Sequence, residues 1–296
     1  MIARRRLSFV LLLIAIVAGT AAARPRRVTP LTLGGYQVLA ADFHTHSSTW
    51  SDGTLTPAGL LFEARRQGLD AIAITGHNQV LDGKMGRWLS ARFGGPTVLT
   101  GEELHAPDHH VIAVGIERYV DWSLPLEAQI DEIHRQGGIA IAAHPFRRFN
   151  RKFDDASVAK LDGSEMCHPA AYWRLSRGED LERFHMRAPD TLAAIGSSDF
   201  HGFGRVGMCR TYVFARDASA EAILEALRAR RTVVYGVDGH AYGDRALASL
   251  AAAHPELREV AIYDAPVTWL DWVSRVCGTV GLIGLIAARA PARRQP

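Results

Sequence analysis

Cysteine is scarce, with three residues in a chain of 296. Cys167, Cys209 and Cys277 show no Cys-x-x-Cys spacing, and an odd number leaves at least one thiol unpaired in a monomer. This excludes a thiolate zinc site and suggests no disulfide framework, so cysteine says little about redox compartment. Internal repeats and low-complexity tracts are absent too. The body also lacks a basic stripe interleaved with aromatics, which argues against a stable nucleic-acid complex. Acidic residues are missing from residues 1–27, which hold six Arg, and from residues 284–296, which hold three. The formal charge of +3 therefore belongs to the ends, and the rest of the chain carries 25 basic residues against 31 acidic ones. At 48% hydrophobic and 22% charged, that body has the composition of a globular protein, not a disordered or collagen-like one.

Both ends are apolar with basic flanks. Met1 to Arg6 is basic, and Leu7 to Ala23 follows without a charge, ending on the small residues Ala21 and Ala23. Residues 1–27 thus read as a signal peptide or an N-terminal membrane anchor. In residues 265–296, Val276 to Ala288 is uncharged, Trp269 and Trp272 suit an interfacial belt, and Arg289, Arg293 and Arg294 follow. Asp271 and Arg275 would be costly at mid-bilayer, but Arg275 can snorkel. The expectation is membrane association through one or both ends, with basic flanks inside and the body exported to the periplasmic or extracellular face.

Between them, residues 28–264 alternate short β-branched runs with amphipathic helical patterns, which predicts a parallel α/β sheet or barrel. Strands are expected at Val38 to Phe43, Ala71 to Thr75, Pro96 to Leu104, His110 to Ile116, Ile139 to Ala143, Gly163 to Met166, Leu192 to Ser197 and Thr211 to Ala215. Helices are expected at Thr56 to Gln67, Pro125 to Arg135 and Ala218 to Arg230, the last capped by Asp217 or Ser219. Val80 to Gly95 and Phe146 to Asp155 read as loops that shape a pocket.

Polar residues gather where these strands end. The first ends in Asp42-Phe43-His44-Thr45-His46, whose two imidazoles face the same way in an extended chain. Ser51-Asp52-Gly53 follows as a turn. Later strand ends carry Thr75-Gly76-His77, Glu102-Glu103, His144-Pro145 and Ser198-Asp199-Phe200-His201, and one strand opens with Asp108-His109-His110. The carboxyl ends of parallel strands share one rim, where barrel enzymes build their sites. Six His with three or four carboxylates there suit a cluster of two or three divalent metals bridged by a carboxylate.

The ordered motifs HTHSSTWSDGTLTP (His44 to Pro57), TGHN, GEE, HHVIAVGI, AHP and SDFH resemble the PHP (polymerase and histidinol phosphatase) family across roughly Leu39 to Gly243. The resemblance implies a distorted seven-stranded β/α barrel with two or three Mn, Zn or Fe ions at its mouth and, most often, hydrolysis of phosphoesters. It implies that His44, His46 and Asp199 hold a first metal. Glu103 bridges, His110 and His144 complete a second, and His77 and His201 hold a third with Asp52. Glu102 competes with Glu103, and His109 with His110; the motif spacing favours Glu103 and His110. Gly76 stands where the family usually has Asp, which removes a carboxylate that would orient an imidazole.

The expected reaction is hydrolysis of a small phosphorylated substrate or nucleotide by metal-activated water, with Asp199 accepting a proton and His201 or His77 protonating the leaving oxygen. Arg147, Arg148 and Arg205 are candidates to grip phosphate. His168 reads as structural or substrate-facing; His134, His185, His240 and His254 read as ordinary polar residues, and His105 has no motif role. Two rival readings keep the metals: an amidohydrolase-like hydrolase of C–N or C–O bonds, and a non-catalytic metal-binding envelope module.

Overall fold

A computed structural model describes residues 2–22, 29–146, 148–202, 204–261 and 268–288. In chain order the elements are α1 (Ile2–Ala22), β1 (Leu31–Leu33), β2 (Tyr36–Asp42), α2 (Pro57–Arg66), β3 (Ala71–Ile74), α3 (Leu81–Phe93), β4 (Thr97–His105) and β5 (His110–Val114). Then come α4 (Leu126–Arg135), β6 (Ile139–Ala142), α5 (Asp155–Lys160), β7 (Gly163–Cys167), α6 (Ala170–Trp173), α7 (Leu175–His185), β8 (Ala193–Gly196) and β9 (Thr211–Ala215). The chain continues through α8 (Ala220–Arg228), β10 (Thr232–Tyr235), β11 (Ala241–Gly243), α9 (Arg245–Ala251), α10 (Pro255–Ala261) and α11 (Trp269–Ala287). Two compact units result: a body from residue 26 to 263, and a second unit formed by the two ends.

In the body the strands run in the order β11-β10-β9-β2-β3-β4-β5-β6-β7-β8, with β1 on β2. β8 and β9, far apart on that path, meet through the Thr211 hydroxyl, which donates to Gly196 O and accepts from Gly196 N, both at 2.8 Å. The result is a nearly closed α/β barrel. Strands β2 to β9 form its wall, and β10, paired with β9, also lies against β8. The sheet is also mixed where a parallel one was expected: β5 is antiparallel to both β4 and β6, and β9 is antiparallel to β2. That reversal puts the amino end of β5, with His110, on the same rim as the carboxyl ends of its neighbours.

Alternate residues of each strand fill the barrel. Leu39, Ala41, Phe43, Leu99, Ile112, Ile141, Ile195 and Val213 are buried inside it, and Ile223 and Leu227 of α8 pack on this core. Because α8 follows the carboxyl end of antiparallel β9, it plugs the end opposite the metal-ligand rim. Ser219 caps α8 by accepting from Ala222 N, one of the two caps foreseen. Thr56 caps α2 in the same way through Gly59 N.

Residues 80–95 are not the pocket-shaping loop expected but contain helix α3. Its inner face is Asp82, Gly83 and Gly86, while Leu81, Met85, Trp88 and Phe93 are exposed. A Cβ at Gly83 would lie 2.9 Å from Thr100 Cα, so close packing on the sheet demands glycine there. The usual apolar periodicity is inverted, which hides the helix from sequence reading.

The terminal unit is a pair of helices, α1 and α11, each long and apolar enough by length and composition to cross a membrane. They pack antiparallel. Ser274 Oγ donates to Ala15 O (2.8 Å), Arg5 donates to Ala288 O (3.2 Å), and Gly281 lies against Ser8 and Leu12. Small residues let the two backbones approach closely. Asp271 sits in the first turn of α11, where it accepts from Thr268 N (2.7 Å) in a capping box, so its charge lies at the helix end.

Candidate metal centre

Backbone bonds build the rim before any imidazole is placed. Past β2, Thr45 Oγ1 donates to Ala73 O (2.7 Å), and His46 N donates to Phe200 O (3.1 Å). Asp42 is fully buried, and its carboxylate accepts from Ser198 N (3.0 Å), Gly207 N (2.7 Å) and His44 N (3.3 Å). One side chain thus fastens the loop carrying Asp199 and His201 to the loop carrying His44. Burial raises the Asp42 pKa, and the three N–H donors oppose that rise. Asn78, His144 and Asp199 hold positive φ of 51°, 25° and 45°. Such backbone is strained in non-glycine residues, and strain of this kind clusters at functional sites.

The structure brings the sequence-predicted ligands together. His44 Nε2 and His46 Nε2 lie 3.2 and 3.3 Å from Asp199 Oδ1 and the same distances from Glu103 Oε2. Glu103 Oε1 faces the other way, 2.8 Å from His110 Nδ1 and 3.1 Å from His144 Nε2. Asp52 lies 3.4 Å from His77 Nε2 and 3.3 Å from His201 Nε2. Four donor groups follow, each able to surround an ion: His44, His46, Glu103 and Asp199; Glu103, His110 and His144; His46, Asp52, His77 and His201; and His77, Glu103 and His105. Glu103 belongs to the first two, with one oxygen for each, which is the geometry of a bridging carboxylate.

Both open alternatives resolve by direction. Glu102 points away and accepts from Val120 N (2.8 Å), and burial raises its pKa to about 8. His109 turns to Gln129 (3.2 Å). Over Gly76 lie the Gln79 amide and the Asp82 carboxylate, which would crowd any Cβ. Asp82 bonds Gln79 (3.0 Å), so it fills the space without orienting an imidazole.

The donor chemistry fits divalent cations. Among the described residues, His44 Nε2, His46 Nε2, His77 Nδ1 and Asp199 Oδ1, all facing the centre, are buried and have no hydrogen-bond partner. Unpartnered polar atoms are costly in an interior, and a bound cation satisfies them. Burial works against ionisation of Glu103 and Asp199, but His44 and its neighbours hold both carboxyls well below their usual range. Burial likewise opposes protonation of His44, yet Asp199, Glu103 and Glu165 raise its pKa well above normal.

Two participants, Glu165 and His105, escaped sequence reading, and His168, read as structural or substrate-facing, joins them. Glu165, inward on β7, accepts from His44 Nδ1 (3.0 Å) and from His144 N (2.5 Å). His105, exposed at the end of β4, packs on the rings of His77 (4.5 Å) and His110 (4.0 Å), and burial with nearby imidazoles lowers its pKa to about 4. His168 contacts Asp199 Oδ2 at 3.1 Å. A carboxylate inside the short apolar strand GSEMC was the available signal for Glu165. His134, His185, His240 and His254 pair elsewhere, with Asp162, Ser164, Asp238 and Glu256. Arg147 lies outside the described residues. Arg148 stands 5.2 Å over Phe149, Arg177 stands 5.1 Å over Phe146, and Arg205 lies half-buried in the loop after His201.

The chain matches the PHP-associated family over residues 190–232. It is 29% identical over 147 residues to an uncharacterized protein of Methanocaldococcus jannaschii, a match covering 46% of this chain and 84% of that one. Among solved structures it resembles a two-domain protein of Bacteroides vulgatus containing a predicted PHP-like metal-dependent phosphoesterase. Identity there is 26% and the TM-score 0.54, over 72% of this chain and 69% of that one. An amidohydrolase from Chromobacterium violaceum is 19% identical with a TM-score of 0.45, over 64% of this chain and 96% of that one. A barrel with clustered imidazoles and carboxylates on its rim defines the class, a metal-dependent hydrolase. Within that class, the likeness is to PHP-associated and PHP-like proteins.

Proposed function

We propose that the body hydrolyses phosphoesters, mono- or diesters, with two or three divalent ions held by His44, His46, Asp52, His77, Glu103, His110, His144, Asp199 and His201. The observation that carries this reading is the set of buried, unpartnered ligand atoms converging on Glu103 and Asp199. Such ions, when bound, supply a water of lowered pKa and neutralise phosphate charge. The chain's own residues do the rest. Asp199, kept ionised by its imidazole neighbours, accepts a proton. With two ions bound and His201 unligated, that ring, half-buried with its Nδ1 donating to Asp199 O (3.0 Å), is placed to hand a proton from Nε2 to the leaving oxygen. Phe146 and Phe149 wall the site beside His144 at 5.9 and 5.3 Å between ring centroids, and the guanidinium groups over them, Arg177 and Arg148, are suited to an anionic substrate. Arg147 and Arg205 remain candidates for the same task.

The body is exported and tethered in this reading. Its supports are the antiparallel α1–α11 pair and, in the sequence, the Arg-rich segments that flank it, as the positive-inside rule expects. Small phosphorylated molecules or nucleotides are the substrates.

The test is a panel of phosphomonoesters, phosphodiesters and amides given to the Mn-loaded full-length protein in detergent. Phosphate-ester cleavage is expected. Amide cleavage alone would replace the reading with the rival hydrolase. N-terminal sequencing of the mature chain tests the anchor, with Met1 retained if α1 is not cleaved.

A further inference from the structure

Among the described residues the barrel seam between β8 and β9 has no strand ladder, and the Thr211 hydroxyl bonds Gly196 across it. A second link crosses nearby. Cys167, the last residue of β7, and Cys209, just before β9, form a disulfide with their Cα atoms 5.2 Å apart, inside the range such bridges require. Both residues are buried. Between Gly196 and Cys209 runs the segment that carries Asp199 and His201. Its first bond after β8 is Ser197 N to Cys167 O (3.2 Å).

Cys167 also immediately precedes His168. Ala170 N donates to His168 Nδ1 (3.1 Å), so the ring proton sits on Nε2, which donates to Asp199 Oδ2 (3.1 Å). With Oδ2 taken, Oδ1 is left facing His44, His46 and His201. The bridge therefore anchors the donor that orients Asp199 and the far end of the segment that bears it.

We infer that the Cys167–Cys209 disulfide is a covalent brace for the metal centre: it closes the seam and holds His168, a positioning residue, on Asp199, so that metal retention depends on cysteine oxidation. The two thiols lose two protons and two electrons to a protein disulfide of the exported compartment. This passes through a mixed disulfide and leaves the oxidant as a dithiol. Because both sulfurs are enclosed, exchange precedes closure of the barrel, and the folded protein resists reductant. The consequence for metal rests on the proposed function, and the source of oxidant rests on export; the bond itself rests on neither.

The test has two arms. Non-reducing peptide mapping of the full-length exported protein should recover residues 167 and 209 cross-linked and Cys277 as a thiol. Both residues alkylated when the protein is unfolded in denaturant and alkylating reagent without reductant would overturn the proposal. In the second arm, release of bound Zn(II) to a chromogenic chelator is timed. Cys167→Ala/Cys209→Ala and His168→Ala should release it about tenfold faster than wild type, whereas His168→Gln, which keeps a donor, should stay slow. Equal release from all four folded proteins would overturn the brace. Should the double variant fail to fold, wild type refolded with and without oxidant provides the same comparison. A mapped bridge with slow release but no ester cleavage would contradict the phosphoesterase reading and leave the brace standing.

Discussion

Glu165 accepts a hydrogen bond from His44 across 3.0 Å of fully buried interior, Oε1 to Nδ1. The proton is thereby fixed on Nδ1, and the lone pair of Nε2 is aimed at Glu103 and Asp199. A carboxylate behind an imidazole sets its tautomer and raises its basicity. Glu165→Gln should weaken metal binding about 10- to 100-fold while leaving the circular dichroism spectrum native, as read by competition with a chelator. Unchanged affinity would show that His44 needs no orientation.

Asp199→Asn should reduce ester hydrolysis by at least about 100-fold, because the amide neither accepts a proton nor supplies a full charge at the rim. Thermal unfolding of the variant should remain cooperative. Retained turnover would remove Asp199 from the chemistry.

Asp42 is a structural counterpart. Its carboxylate satisfies three backbone N–H groups from two loops. Asp42→Ala leaves buried donors unpaired and should cost about 3 kcal/mol or more in urea unfolding. A loss under about 1 kcal/mol would mean the loops hold without it.

His185 is buried against Ser164 Oγ (2.8 Å), and burial lowers its pKa to about 4. Below its ordinary 6.5 the unfolded chain takes up a proton that the folded chain refuses. Stability from this group is therefore complete above pH 6.5 and lost as pH falls toward 4. His185→Gln cannot titrate, so the wild type should lose up to about 3 kcal/mol relative to it across that window. A pH-independent difference between the two proteins would contradict the neutral, buried assignment.

The rim was legible because its residues are spaced by the strand repeat: His44 and His46 share a face, and each later motif lies at one end of a strand. What stayed hidden depends on relationships the linear pattern does not carry. Glu103 and Glu102 differ only in which side of β4 they face, and the antiparallel turn into β5 decides it. Helix α3 was masked because it buries Asp82, Gly83 and Gly86 and exposes Trp88 and Phe93. Cys167 and Cys209 are 42 residues apart and meet only when the barrel closes. Glu165 looked like an isolated polar residue until folding placed it behind His44.

The most direct test of the central claim is stepwise addition of Mn(II) to the chelator-stripped, full-length protein, following ions bound and phosphate released together. The account predicts two or three ions per chain, with hydrolysis of a phosphoester appearing as they fill and vanishing on chelation. Binding of those ions with no ester cleaved at any occupancy would contradict it.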